Sequence, residues 1–74
     1  MVNVEIFVGD REIPVAVYET NSHPNVNEAI FISSSDEMFY LKVVGVTHYV
    51  QLDKENNVIK NYVCIRTQHG MTEV

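Results

Sequence analysis

The chain is poor in the residues that staple or decorate small proteins. Its 74 residues hold one cysteine, no tryptophan, three glycines and two prolines. A single thiol, Cys64, excludes an internal disulfide framework and any cysteine-rich metal site. Basic residues are also scarce: Arg11, Lys42, Lys54, Lys60 and Arg66 never form a run, and the net charge is −5. Binding to phosphate backbones or anionic membranes needs clustered Lys and Arg, so nucleic-acid and membrane partners are not expected. No apolar run approaches the roughly 20 residues that cross a bilayer. The start, MVNVEIFVGDRE, has no basic leader and meets charge at the fifth residue, which argues against a signal peptide. The expected compartment is the cytoplasm, of a cell or of an infected host. A length of 74 residues allows one core, expected over residues 1–68, with 69–74 as a flexible tail. Without staples, such a chain must pack well or gain stability by associating.

What is present is β pattern. Phe39 to Thr67 is rich in Val, Ile, Tyr, Phe and Thr, types that suit a pleated, half-buried surface. It reads as a long strand over 39–52, a turn at Asp53–Asn57 and a returning strand. The alternation breaks along the first arm. Phe39, Leu41 and Val43 are apolar at odd positions, whereas Val44, Val46, Val50 and Leu52 are apolar at even ones. A change of phase needs one extra residue, and Gly45 stands at the switch, so a bulge or bend is expected there.

Upstream, Val2, Val4, Ile6 and Val8 alternate cleanly, Gly9-Asp10 supplies turn chemistry, and Ile13, Val15 and Val17 alternate again. Pro14 lacks a backbone donor and points to an edge strand. Residues 20–27 read as a loop. Glu28–Ser33 is a short run apolar on both faces, the pattern of a central strand covered on both sides. Ser34 and Glu37 have capping-box spacing. The expected fold is all-β: a small, strongly curved antiparallel sheet or open five-stranded barrel, of SH3-like or OB-like size. The alternative is α+β, with one short helix within 20–38.

Function is thinly written. His48 falls in phase with Val46 and Val50 on the apolar face, where an imidazole serves as a base, a ligand or a rim residue bonded to a carbonyl. Tyr40, Tyr49 and Tyr62 are expected on outward faces beside Lys42 and Lys60, as binding anchors or as cross-strand packing. Asp10 with Glu12, and Asp36 with Glu37, lie in turns that an up-and-down order brings to one end. That makes an acidic patch for a basic partner, or merely a solvated surface. Asp53–Asn57 lacks the glycine and distant glutamate of a calcium loop. Three scattered histidines suggest no metal site, and no cofactor is implied. Cys64, between Val63 and Ile65, reads as a packing residue. Thr72-Glu73-Val74 has the form of a terminal strand-addition motif for PDZ-type partners.

No acid, base and nucleophile converge, so an enzyme is not expected. The leading expectation is a small, acidic, non-catalytic protein-interaction domain that binds another protein or itself, with a homodimer through edge strands compatible. Accessory or inhibitory proteins of phages and mobile elements share this composition. The alternative is a small-ligand binder with a pocket near His48.

Overall fold

The computed structural model describes residues 1–70, and its five strands follow from the alternation just set out. They are β1 (Val2–Val8), β2 (Ala16–Thr20), β3 (Ala29–Ser33), β4 (Met38–Leu52) and β5 (Val58–His69). They form one sheet in the order β2-β1-β5-β4-β3, curled into a nearly closed barrel with no helix among the described residues. The α+β alternative is therefore overturned. The Ser34–Glu37 spacing is used in another way. Ser34 N–H donates to the Glu37 carbonyl at 2.8 Å, and Ser34 Oγ accepts the Glu37 N–H at 3.1 Å, closing a tight turn between β3 and β4.

Three of the four pairings are antiparallel, and β1 with β5 is parallel. Short connections impose antiparallel pairing on consecutive strands. β1 and β5 lie at opposite ends of the sequence, so no hairpin constrains their join. Val4, Ile6 and Val8 from β1, Leu41 and Val43 from β4, and Val63 and Ile65 from β5 form the buried core. Ile30, Ile32, Ala16, Val15 and Phe39 pack around its margin. Thr67 is buried among them, and its hydroxyl donates to the Phe7 carbonyl at 2.7 Å, so the polar atom is not stranded.

The expected bulge is present: Val43 pairs with Thr67 and Gly45 with Arg66, leaving Val44 as the extra residue. Val44 is exposed, and the even-numbered inner face begins at Val46, one step later than the pattern suggests. The returning strand runs through His69, and Gly70 N–H donates to the Tyr40 carbonyl, so the body extends past the expected tail boundary.

Two strand readings need correction. β2 is an edge strand, as Pro14 implies, but its inward face carries Ala16 and Tyr18, opposite Ile6 and Val4. Val17 faces outward opposite Glu5. The phase slips because Val15 N–H also bonds the Ile6 carbonyl, so two consecutive residues meet Ile6. β3 is likewise an edge strand, not a central one. Ile30 and Ile32 turn inward while Phe31 remains 61% exposed.

β4 and β5 are much longer than their neighbours, and this gives the molecule its shape. β5 pairs with β1 only from Tyr62 to Thr67, and β3 pairs with β4 only from Met38 to Lys42. Beyond the body, Val50–Leu52 and Val58–Asn61 have each other as strand partners, while Thr47–Tyr49 pair with Cys64–Tyr62, which β1 still flanks. Three residues of strand reach about 10 Å, and the Asp53–Asn57 turn extends beyond them. The resulting arm explains extents of 52 × 25 × 24 Å and a radius of gyration of 13.9 Å. A compact chain of this length has a radius of gyration of about 11 Å.

Candidate interaction surface

The outer face of the sheet at the base of the arm carries two of the three tyrosines. Tyr49 and Tyr62 are register partners, and their rings stack with centroids 4.9 Å apart and planes 13° from parallel. Lys60 Nζ stands 5.2 Å from the centroid of the Tyr62 ring. Close packing removes water from the Tyr62 phenol and raises its pKa, with Cys64, Glu5 and Tyr49 adding to the shift. The phenol therefore stays neutral and can donate a hydrogen bond at physiological pH. Tyr40 is outward as expected but belongs to a different place. It pairs with Phe31 on β3, ring centroids 6.5 Å apart, and packs against Gly70. The three tyrosines thus form two sites, with Tyr49 and Tyr62 at the base of the arm, where Asn3 of β1 still pairs with Tyr62, and Tyr40 at the β3–β4 edge of the body.

The inner face of the arm continues the apolar face of the sheet past the point where the core ends. Val46 opposes Ile65, His48 opposes Val63 and Val50 opposes Asn61. At the second register irregularity Leu52 opposes Val58, with Ile59 as the extra residue. Val50, Leu52, Val58 and Ile59 are all exposed. Sequence reasoning places Val50 and Leu52 on an inner face and expects them to be covered there. The missing information is that no other strand runs alongside them.

His48 lies on this inner face in the expected phase, yet it is exposed. Its ring meets that of His23 edge-on, with centroids 4.9 Å apart. His23 Nδ1 lies 2.8 Å from the Pro24 carbonyl, which fixes Nδ1 as the protonated nitrogen. The loop is brought to β4 by backbone bonds from Asn27 N–H to the Val43 carbonyl and from Val43 N–H to the Glu28 carbonyl. Nothing in the spacing of residues 23 and 48 announces this contact. Three open surface depressions are lined by Gly9, Asp10 and Arg66, by residues 11–15, and by Asn3 with residues 58–61. His48 lines none of the three.

The acidic turns are held at one end by topology, since β1 and β3 run in the same direction. Asp10, Glu12, Asp36 and Glu37 are all exposed. Arg66 enters the first of these turns. Its guanidinium donates to the Gly9 carbonyl at 2.8 Å and the Arg11 carbonyl at 3.2 Å, and lies 5.0 Å from the Phe7 ring centroid. A positive charge therefore sits against the turn that bears Asp10 and Glu12. At the tip of the arm, Asp53 Oδ1 accepts the N–H groups of Glu55 at 2.8 Å and Asn57 at 2.9 Å. These bonds, the one from Asn57 first, lower its pKa.

Cys64 is half-buried, and its thiol stands 3.8 Å from the Glu5 carboxylate. Burial first, and the Glu5 charge second, push its pKa up, which is the opposite of an activated nucleophile. Among the described residues no group of three or more His, Cys, Asp or Glu side chains is arranged to hold a metal ion. No helix among them is long and apolar enough to cross a membrane. The terminal Thr72-Glu73-Val74 motif lies outside the described residues. Comparison with protein families, with curated proteins and with solved structures found no match.

Proposed function

We propose that this chain is a non-catalytic protein-interaction domain that docks through its β4–β5 arm. The observation that supports this reading is the arm itself: a two-stranded ribbon reaching past the core, with exposed aliphatic side chains on its inner face and the Tyr49–Tyr62 stack on the outer face at its base. An isolated two-stranded hairpin is marginal in water, and large apolar side chains left open on one element favour a partner that covers them. Tyr49 and Tyr62 serve as anchors, since stacked tyrosines offer a large, rigid contact area at low entropic cost. The curled body acts as the base that fixes the arm's direction.

Affinity capture from the source organism's extract tests this reading. Wild type and the Tyr49→Ala/Tyr62→Ala double variant are compared, with co-purifying protein quantified by mass spectrometry. The expected result is a complex at near-equal amounts, of this chain with another protein or with itself, that the double variant loses while keeping its far-UV circular dichroism. Equal capture by wild type and variant would remove the tyrosine face from the interface.

A further inference from the structure

We infer that the inner face of the arm docks against the same face of a second copy of this chain. The inference rests on the reading of the arm as the interaction surface and names its occupant. A sheet that is apolar on one face needs a second layer over that face. Within the body β2 and β3 curl round to supply it, but the arm outruns both. Val50, Leu52, Val58 and Ile59 are left 60%, 47%, 55% and 59% exposed. With His48 and the intervening main chain, they offer roughly 400–500 Å² per copy, so a pair buries roughly 800–1,000 Å², below the roughly 1,200 Å² of stable interfaces and in the range of a weak, reversible dimer. A two-fold axis through the arm makes the stripe complementary to itself, since the same aliphatic residues meet from both sides.

Charge selects a second copy as well. Between Tyr49 and Tyr62 the charged residues are Asp53, Lys54, Glu55 and Lys60, two of each sign, so the arm is neutral. The net charge of −5 lies wholly outside it. Arms laid antiparallel keep the two acidic bodies at opposite ends of the assembly, separated by more than the Debye length of about 8 Å at physiological salt. Docking through Val17 on β2 instead sets like charges together, because Val17 opposes Glu5 and has Glu19 as its neighbour on the same face. The arm is thus a surface on which two copies meet without electrostatic opposition.

Sedimentation equilibrium of the full chain over about 10 µM to about 1 mM reads this directly. The weight-average mass is expected to rise from 8.5 kDa towards twice that value, with little dependence on salt. Leu52→Lys and Ile59→Lys each weaken the dimer by about tenfold or more, because each enters the interface twice. Phe31→Lys, on the outer face of β3, leaves the association unchanged. All three sites are exposed, so the variants keep the wild-type urea midpoint. A wild type that stays at 8.5 kDa throughout overturns the inference while leaving the capture experiment to decide the broader reading. A dimer that survives both lysine variants, or dissociates with Phe31→Lys, overturns the arm as its seat. A heterologous protein that displaces the second copy from wild type but not from Leu52→Lys also overturns it.

Discussion

Tyr49 and Tyr62 face one another across the base of the arm with centroids 4.9 Å apart and planes nearly parallel, while Lys60 approaches the Tyr62 ring from the same strand. Aromatic planes in contact stand about 3.5–4 Å apart, so a 4.9 Å centroid separation means the rings are slid past each other, the favoured offset arrangement. The pair both stiffens the ribbon and presents its faces. A double-mutant cycle with Tyr49→Ala and Tyr62→Ala, followed by urea denaturation, is expected to give a coupling of about 0.5–1.5 kcal/mol. A coupling near zero would mean the rings stack without holding the arm.

The two turn and bulge glycines differ in what they require. Gly9 has φ +59°, and a Cβ placed there meets nothing within 4 Å, so Gly9→Ala carries only the cost of a left-handed backbone, about 1–2 kcal/mol. Gly45 sits at the register shift without a positive φ, and a Cβ there meets Arg66 Cβ at an ordinary 3.7 Å. Gly45→Ala is therefore expected to be neutral or to stabilise by about 0.5 kcal/mol, through the unfolded chain. Urea midpoints at constant slope separate the two.

Core and arm respond differently to truncation. Ile65 is fully buried, and Ile65→Ala is expected to cost about 3 kcal/mol, most of the stability of so small a domain. Ile59→Ala, on the open arm, costs under about 0.5 kcal/mol in dilute solution. Thermal and urea unfolding of the monomer check both.

The Cys64 thiol is held protonated by burial, with Glu5 contributing second. At pH 8 its alkylation by iodoacetamide is expected to be slower than that of an unfolded cysteine peptide. Glu5→Gln recovers part of the difference, because burial, the larger cause, remains. A rate equal to that of the peptide would contradict the raised pKa.

Asp53 provides a pH dependence with a definite sign. Its pKa is lowered by the Asn57 and Glu55 N–H groups, so the carboxylate favours the closed tip above the ordinary carboxylate range. That contribution is lost as pH falls through the lowered value. Amide resonances of Glu55 and Asn57 should shift together on acidification, with a midpoint below that of a free aspartate. Asp53→Asn removes the transition while retaining an acceptor oxygen.

The strands, the curled all-β body and the bulge were legible because period-two alternation, turn residues and one phase change are local properties. Even the arm left a trace, since 39–52 is twice as long as the Val2–Val8 run. The misplaced parts depend on pairing. The β3 pattern, apolar on both faces, suggested cover on both, but only the inner face with Ile30 and Ile32 meets the core, leaving Phe31 open. The Val15–Ala16 slip reversed the phase of β2 through a backbone bond to Ile6 that no side chain encodes. Val50 and Leu52 looked like core because alternation reports a face, not whether anything covers it. His23 reaches His48 through a loop whose path is set by bonds to the edge of β4, which a list of residues does not contain.

Hydrogen–deuterium exchange with mass spectrometry, run on the chain at low and at high concentration or with its captured partner, tests most directly whether the arm is the interaction surface. A free two-stranded ribbon opens readily, so the amides of residues 50–61 should exchange fast in the monomer. They should become strongly protected in the complex, with β1 unchanged. Protection that appears instead along β2 or β3, with the arm still exchanging fast, would contradict the account.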